Sequence, residues 1–374
     1  MLVHYSCRAP PDHMYRFCCV IIRERFPADR QAPMAGHTLT LVPALRLENL
    51  LPLEMQFRAA PATTGTVCAS GTIAPGDTRP FHEVNVEEGV ELSVKLEGFG
   101  WSTALSVCGS GGNANTAAVG SSGNGSFSAR LKLRDSLGRR LYLNARVTVK
   151  KTDGIKVCIS AAYWLVNRTG LPLVFRAEGS TTEAAGQFNE HEVARMVAPL
   201  LFSFAEADGG PTISARLGRG LPGIPEWCSP FGLGVGVGVK KLEVRADPEA
   251  GAAERVLAVG VRMRAGRGRY RHTNIATFTP RYQLHNNSSL HLQFAQKCSA
   301  TTLNDPGAMA THVTAVPGCY LPWHWARWER AQLLCVRVLA SHEGGERGAA
   351  TASPLTAWSG GFRVDSTRTL HAAC

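Results

Sequence analysis

An asparagine-centred pattern that occurs three times constrains the fold of this chain more than any other feature. The three stretches are LRLENLLPLEMQF at 45–57, YWLVNRTGLPLVF at 163–175 and YQLHNNSSLHLQF at 282–294. When they are aligned on Asn49, Asn167 and Asn286, apolar residues lie four and two positions before the asparagine and four, six and eight positions after it. Every offset is even, which is the period of a β-strand with one buried face. The pattern therefore predicts three equivalent strand segments, each with a polar amide on the inward side.

The spacing of the pattern indicates a repeated unit. It recurs after 118 residues, from position 49 to 167, and again after 119, from 167 to 286. A proline followed by a bulky apolar residue lies 31 to 36 positions after each asparagine, at Pro80-Phe81, Pro199-Leu200 and Pro322-Trp323. The segments WSTALSV, WCSPFGL and WSGGFRV then place a tryptophan four residues before a large apolar residue, and these tryptophans are Trp101, Trp227 and Trp358.

These landmarks predict an all-β chain, a tandem array of small antiparallel β-sandwich modules with about three repeats of ~118 residues, the last incomplete. The 38 glycines and 21 prolines agree with many turns between short strands. We expect an unassigned segment at 1–36 and modules at 37–154, 155–273 and 274–374. A Gly- and Ser-rich stretch at 109–126 reads as a flexible insertion in the first module.

The composition is that of a globular chain, with 44% hydrophobic and 18% charged residues. No stretch approaches 18 consecutive apolar residues, so any contact with a membrane is expected to be peripheral. The 11 cysteines form no C-x-x-C pair, which favours mostly reduced thiols and a cytoplasmic location. The net charge of +11 would favour acidic lipids, nucleic acid or an acidic partner, and equally a plain basic surface.

An arginine-rich stretch, VRMRAGRGRYRHT at 261–273, is the feature closest to a nucleic-acid site. Because Leu257, Val259, Val261 and Met263 alternate with small or basic residues, the arginines are expected on the outer face of a strand and on its turn, and nucleic acid is not expected as a partner.

Sequence signatures of catalysis are missing. HEVAR at 191–195 lacks the second histidine of a zinc protease, and there is no nucleophile elbow or phosphate-binding lysine loop. We therefore expect no enzyme activity, no catalytic residue, no cofactor and no metal site. The segment 189–202 is the best candidate for a short helix, since Val193, Met196, Val197 and Leu200 would share one face.

The inward asparagines allow two interpretations. A buried amide left without partners costs roughly 1–3 kcal/mol, so each must find hydrogen bonds. It could hold the turn that follows it, which would be a structural role. It could instead pair with the backbone of a docked peptide, and the two roles are compatible.

The chain resembles the adaptor-binding, or SHORT-ROOT-binding-like, region of the vacuolar protein sorting thirteen (chorein) family of bridge-like lipid-transfer proteins. The resemblance rests on YWLVNRTGLPLVFRAEG, AAGQ, PEWCSPF, RYRHTNIATFTPRYQLHNNS, LPWHW and WSGGFRVD, which span roughly 155 to 366, with a weaker fit at 40–110. In that family the region is an array of six β modules, each with an asparagine near its start, and three are recognisable here. Asn49, Asn167 and Asn286 match the family's repeat asparagines.

The resemblance implies a noncatalytic region that docks Pro-x-Pro peptides of adaptor proteins and so recruits a lipid-transfer scaffold to organelle membranes or contact sites. Targeting to the vacuole or endosome and retention in the Golgi follow from the same resemblance. The groove that would carry lipid is not visible, so lipid transfer by these residues alone is not predicted. The alternative is a peripheral membrane module whose basic surface binds acidic phosphoinositide headgroups, and a structural spacer is a third interpretation.

Overall fold

A computed structural model describes residues 2–9, 13–25, 35–107, 124–150, 153–194, 198–205, 212–234, 237–249, 254–300, 311–340 and 354–365. Within these ranges the chain is built from β-strands, with one five-residue helix and two short 3-10 turns. The prediction of an all-β fold is confirmed.

The N-terminal segment, which the repeat pattern left unassigned, forms an antiparallel sheet of β1 (Leu2–Ala9), β2 (His13–Arg25) and β3 (Ala35–Pro43). The backbone N–H of Arg16 donates to the carbonyl of His82 at 2.7 Å, and the ring of Phe17 lies 4.8 Å from that of His82. This sheet is therefore attached to the first repeat unit, which begins directly after β3.

The first unit encloses one hydrophobic core between two sheets. Its strands are β4 (Leu45–Leu50), β5 (Met55–Pro61), β6 (Ala69–Ile73), β7 (Thr78–Phe81), β8 (Val90–Lys95), β9 (Leu105–Val107), β10 (Asn124–Arg134), β11 (Arg140–Lys150) and β12 (Gly154–Ala161). One sheet has the order β10-β11-β12-β4-β7 and the other β6-β5-β8-β9. Leu45 and Leu47, on alternate positions of β4, are fully buried against the second sheet, as the even offsets predict.

The second unit repeats this plan. It contains β13 (Tyr163–Asn167), β14 (Leu173–Ala177), α1 (Asn189–Val193), β15 (Leu200–Phe202), β16 (Thr212–Leu217), β17 (Ile224–Pro225), β18 (Phe231–Gly232), β19 (Val237–Arg245), β20 (Arg255–Ala265), the 3-10 turn Gly268–Tyr270 and β21 (Asn274–Pro280). Its sheets have the orders β15-β13-β21-β20-β19-β17 and β14-β16-β18, again with a shared core.

The third unit is smaller in the described residues. It consists of β22 (Tyr282–His285), β23 (His291–Gln296), the 3-10 turn Lys297–Ser299, β24 (Val313–Ala315), β25 (Tyr320–Trp323) and β26 (Leu334–Leu339). The pair β22-β25 packs on the sheet β24-β23-β26 around Trp323 and Trp325.

Two parallel strand pairings interrupt the otherwise antiparallel sheets. Strand β12 pairs in parallel with β4, and β21 pairs in parallel with β13. In each case the strand that precedes the next asparagine pattern pairs with the strand that carries the asparagine of its own unit. The domain boundaries predicted at 154/155 and 273/274 fall at the start of these strands, which belong to the preceding sheets.

Two local expectations were wrong. Of the helix expected at 189–202, the described residues contain Asn189–Val193, residues 195–197 lie outside the described residues, and Leu200–Phe202 form a strand. Pro199 opposes a helix at 198–202, because proline lacks the N–H that a helix needs and disfavours helical backbone in the residue before it. The strand register also pairs Tyr163 with Phe202, so Phe202, not Leu200, occupies the place of Phe81 and Trp323 in the other units.

The predicted insertion at 109–126 lies largely outside the described residues, and 124–126 begin β10. The arginines of 261–273 lie as expected, because Val259 and Val261 are buried while Arg262 and Arg264 are exposed on the outer face of β20.

Candidate functional site

The three repeat asparagines make the same local hydrogen bonds. The side-chain oxygen of each accepts from the backbone N–H two residues later, at Leu51, Thr169 and Ser288, over 3.0, 3.0 and 3.1 Å. The side-chain nitrogen of each donates to the carbonyl four residues later, at Leu53, Leu171 and Leu290, over 2.9, 2.7 and 2.8 Å. Each asparagine therefore closes the turn between two strands of its unit.

A second donor joins the two sheets in the first and third units. Nδ2 of Asn49 also donates to the carbonyl of Ile73 at 2.9 Å, and Nδ2 of Asn286 donates to that of Ala315 at 2.9 Å. Asn49 and Asn286 are almost fully buried, whereas Asn167 is half-buried. Both amide hydrogens of the two buried asparagines are thus donated within their units. A direct bond from these amides to a docked peptide stays a prediction, and it would require exchange of an existing bond.

The repeat tryptophans are each covered by an arginine side chain. The guanidinium carbon of Arg58 lies 4.5 Å from the centre of the Trp101 ring, Arg176 lies 4.3 Å from Trp227, and Arg337 lies 4.4 Å from Trp358. Such cation–π contacts are worth about 0.5–1 kcal/mol at exposed sites. Trp101 is 37% exposed and the other two are half-buried, so the landmarks lie at the surface of each unit.

The residue after each tryptophan has a shared role that sequence reasoning missed. Ser102, Cys228 and Ser359 donate their backbone N–H to the carbonyls of Val94, Ala215 and Val336, each over 2.8–2.9 Å. Their side-chain oxygen or sulfur accepts from the N–H of the same three residues, over 3.0, 3.3 and 3.0 Å. The signal was present as the Ser, Cys and Ser that follow tryptophan in the aligned segments.

These residues do not form one common site. Asn49 lies in β4, Asn167 ends β13 and Asn286 follows β22, so the three belong to three different sheets. The described residues also contain no group of three or more His, Cys, Asp or Glu side chains able to hold a metal ion. Their helices are too short to cross a membrane. A binding site must therefore be sought within single units or at the joins between them.

The turn of Asn167 contacts the third unit closely. The Nε2 atom of His324 donates to the carbonyl of Thr169 at 2.8 Å, as an imidazole N–H. A Cβ built on Gly170 would lie 2.3 Å from Cγ of Pro322, and the φ of Gly170 is +72°. Only glycine combines this backbone conformation with such a close approach. Burial lowers the pKa of His324, which favours the neutral imidazole in this contact.

Among the described residues, the asparagine strand of the third unit has an open edge. Strand β4 lies between β7 and β12, and strand β13 lies between β15 and β21. Strand β22 pairs with β25 alone among the described residues, so the place filled by β12 and β21 has no strand there. Leu284 is correspondingly half-exposed, whereas Leu47 and Leu165 at the matching position are 0% and 2% exposed.

The peptide groups of Gln283 and His285 face this edge. The N–H of Asn286 donates to the carbonyl of Cys319 at 3.0 Å, and the N–H of Gly318 donates to the carbonyl of Asn286 at 2.7 Å, so the peptide groups of Asn286 point towards β25. Successive residues of a strand direct their peptide groups to opposite sides. Gln283, which lies opposite Pro322, and His285 therefore present their N–H and carbonyl groups to the open edge.

Comparisons with known proteins give a consistent result. Residues 16–373 match the model of the family described as vacuolar-sorting associated protein 13, adaptor binding domain. The chain is 33% identical over 383 aligned residues to the Homo sapiens intermembrane lipid transfer protein VPS13D, covering 98% of this chain and 8% of that protein. It is 32% identical over 309 residues to the Drosophila melanogaster Vps13D, covering 83% of this chain and 7% of that protein. It is 23% identical over 311 residues to the Chaetomium thermophilum intermembrane lipid transfer protein VPS13, covering 80% of this chain and 9% of that protein.

Proposed function

The chain belongs to the vacuolar-sorting associated protein 13 family and carries its adaptor-binding domain, and from this membership we propose that it captures an extended Pro-x-Pro peptide of an adaptor on the open edge of β22. Such a domain is a noncatalytic binding module. The observation that carries the proposal is the edge itself, because addition of a strand to an exposed sheet edge is a recurring mode of peptide recognition.

The pairing of β13 with β21 supplies the template for this added strand. The N–H of Asn274 donates to the carbonyl of Ala162 at 2.9 Å, and the N–H of Arg168 donates to the carbonyl of Phe278 at 2.8 Å. Asn274 and Phe278 thus direct their peptide groups to β13, and the two-residue period assigns the same direction to Ala276. Ala276 and Phe278 are also fully buried. In the added strand, the residues that bond to the asparagine strand are therefore the core-facing ones.

A Pro-x-Pro sequence meets this requirement when its middle residue faces the core. The two prolines then occupy positions whose nitrogen points away from β22, so their missing N–H groups cost no hydrogen bond. The middle residue donates its N–H to the carbonyl of Gln283 and accepts from the N–H of His285. Its side chain lies opposite Leu284, as Ala276 lies opposite Leu165, so an apolar residue is favoured there. The prolines also leave a poor edge for any further strand.

Peptide chemistry tests this geometry without altering the protein. A labelled peptide containing Pro-Leu-Pro would be titrated into the protein and followed by fluorescence anisotropy. N-methylation of the leucine removes the one amide donor that the pairing uses, and we expect it to weaken binding about tenfold or more. Replacement of both prolines by alanine tests whether proline itself is selected. Equal affinity of the methylated and unmethylated peptides would contradict strand addition in this register.

A matched pair of variants tests the protein side. His285→Pro removes an N–H that faces the open edge, whereas His285→Ala keeps this N–H and removes only the ring, which stacks on Tyr320 at 3.8 Å. We expect the proline variant to lose peptide binding and the alanine variant to retain it. Thermal unfolding of both variants would establish that they are folded. Equal peptide binding by the two variants would contradict the placement of the peptide site at β22.

The wider role is also a proposal. The chain spans less than a tenth of the length of each relative described above, and those relatives are named as intermembrane lipid transfer proteins. We propose that peptide capture recruits such a lipid-transfer scaffold to an organelle membrane or contact site, including the vacuole, the endosome or the Golgi. Localisation of the full-length protein with His285→Pro, compared with His285→Ala, would test recruitment in cells.

A second candidate function is the binding of acidic phosphoinositide headgroups by the basic surface. It is favoured by a cleft between the first two units in which several arginines lack acidic partners among the described residues. Flotation with acidic vesicles in the absence of any adaptor separates this function from peptide capture. Headgroup binding would bring the protein to the vesicles and would weaken with added salt, whereas peptide capture would not bring it there without an adaptor.

A further inference from the structure

A cleft of about 770 Å³ lies between the first and second units. Its floor is the outer face of the sheet β10-β11-β12-β4, where Ser128, Arg146, Cys158 and Glu48 lie side by side in one row across the four strands. Its wall is the turn 269–272 of the second unit, which includes Arg269, Arg271 and His272. A volume of this size is typical of small-molecule sites, which span roughly 300–1,000 Å³.

The wall is held in place by contacts with the first unit. The guanidinium of Arg269 donates to the carbonyl of Gly76. The buried hydroxyl of Thr273 donates to the carbonyl of Ala161 at 2.8 Å. Within the second unit, the ring of Tyr270 packs edge-on at 5.3 Å against Trp164, which itself packs against the core of the first unit. The two sides of the cleft are therefore fixed before any ligand arrives, which reduces the ordering that binding would require.

The cleft carries uncompensated positive charge. The lining contains two carboxylates among the described residues: Glu48 pairs with Lys156 at 2.8 Å, and Asp153 pairs with Arg46. Arg146, Lys150 and Arg271 also border the cleft, and within the described ranges none of them forms an ion pair. Three cations that share a concave surface repel one another, so an anion bound there would relieve the repulsion.

His272 increases this imbalance. The Nη1 atom of Arg146 donates to Nε2 of His272 at 3.1 Å, which requires a neutral imidazole at that nitrogen. Burial and the adjacent Arg146 and Arg271 lower the pKa of His272, in agreement with the neutral form. The imidazole thus orients the Arg146 guanidinium, and neither group supplies a negative charge.

The remaining lining identifies the class of ligand. Ser128, Asn144, Thr148 and Ser160 offer hydroxyl and amide groups, and Leu50 is the one large aliphatic residue among the described residues of the lining. Among the described residues, no aromatic ring other than the imidazole of His272 borders the cleft, so bases of nucleic acid find no stacking platform in this part of the chain.

We propose that this cleft binds a phosphorylated polyol, either an inositol polyphosphate in solution or the headgroup of a phosphoinositide in a membrane. Arg146 and Arg271 bind the phosphate groups from opposite sides, and the hydroxyl-bearing floor binds the ring hydroxyls. The site rests on the second candidate function and is independent of the peptide edge at β22.

The experiment compares two pairs of substitutions with the same loss of charge. The test variant carries Arg146→Gln and Arg271→Gln, and the control carries Arg134→Gln and Arg262→Gln, which are exposed residues outside the cleft. Inositol hexakisphosphate would be titrated into each protein by calorimetry. We expect the test variant to lose affinity by roughly fivefold for each arginine removed and the control to bind like the unaltered protein.

A vesicle arm separates the two sources of the ligand. Flotation would use phosphatidylcholine vesicles with and without phosphoinositide, for all three proteins. Cleft-dependent binding of both hexakisphosphate and phosphoinositide vesicles assigns a membrane headgroup, and cleft-dependent binding of hexakisphosphate alone assigns a soluble ligand. Vesicle binding that is equal in test and control variants would overturn the assignment of the binding site to the cleft but keep the second candidate function. Absence of binding in both arms would overturn the cleft site and the second candidate function.

Discussion

The side-chain amide of Gln187 pairs with both backbone groups of Phe175. Its oxygen accepts from the N–H of Phe175 at 2.8 Å, and its nitrogen donates to the carbonyl of Phe175 at 2.7 Å. In the first and third units the equivalent residues, Phe57 and Phe294, pair on this side with strands β6 and β24. A single buried glutamine in the second unit therefore replaces one residue pair of a strand.

Replacement of this glutamine should destabilise the second unit. Gln187→Leu would leave the N–H of Phe175 without its partner in a buried position, and we expect the free energy of unfolding to fall by about 2 kcal/mol. Gln56→Leu changes an exposed glutamine on β5 and serves as the matched control, with an expected effect within about 0.5 kcal/mol. Urea unfolding measures both. Equal midpoints for the two variants would show that the amide does not replace a strand.

The period-two pattern predicted which residues of the repeated strands share the buried face, and the structure places these residues at equivalent positions of their sheets. Phe57, Phe175 and Phe294, which share one offset from the asparagines, lie opposite Val94, Ala215 and Val336. Leu105, Phe231 and Phe362, which share one offset from the tryptophans, lie opposite Leu92, Ile213 and Leu334. These features follow from local alternation, because a strand with one buried face fixes which residues point inward.

Features that depend on distant pairing could not be predicted in this way. The parallel partners Leu45 and Ile155 are 110 positions apart, and the local pattern of neither strand indicates which strand it pairs with. The open edge of β22 is visible only after β4 and β13 are seen with two neighbours each. Gln187 was part of the AAGQ phrase that supported the family resemblance. Its hydrogen bonds to the backbone of Phe175 are seen only in the folded structure.

Two adjacent asparagines provide a sharp test of the repeat amide. Asn286 is 1% exposed and both of its amide hydrogens are donated, whereas its neighbour Asn287 is exposed. We expect Asn286→Ala to lower the free energy of unfolding by about 3 kcal/mol, since it leaves several buried backbone groups unpaired. Asn287→Ala should change it by less than about 0.5 kcal/mol. Thermal or urea unfolding would distinguish them, and similar stabilities would refute the structural role that we propose.

The structural role of Asn286 also decides which variants suit the peptide experiments. Loss of peptide binding in an Asn286→Ala variant would not separate a missing contact from a damaged unit. The His285 pair described above avoids this difficulty, because its backbone N–H faces away from β25.

Cys228 should be replaceable by serine but not by alanine. Serine occupies the equivalent position in the other two units, where it accepts the same backbone hydrogen bond at 3.0 Å. Cys228→Ser should therefore keep the stability within about 1 kcal/mol, whereas Cys228→Ala leaves the N–H of Ala215 unpaired and should cost about 1–2 kcal/mol. Differential scanning calorimetry of the two variants tests this order. A serine variant less stable than the alanine variant would mean that packing of the sulfur, and not its hydrogen bond, is what matters.

The contact between the second and third units should weaken in mild acid. Burial lowers the pKa of His324 below its ordinary value, although its bond to Thr169 opposes this shift. Since the folded state then binds its proton at lower pH than the unfolded state, the stabilisation is present above the unfolded pKa of about 6.5 and is lost as the pH falls through that value towards the folded pKa. The expected loss is at most about 1.4 kcal/mol for each pH unit in this window. Urea unfolding between about pH 7.5 and pH 5.5 measures it, with His324→Gln as the control, because an amide can still donate to Thr169 but does not titrate. If the control loses as much stability in acid as the unaltered protein, His324 is not the group responsible.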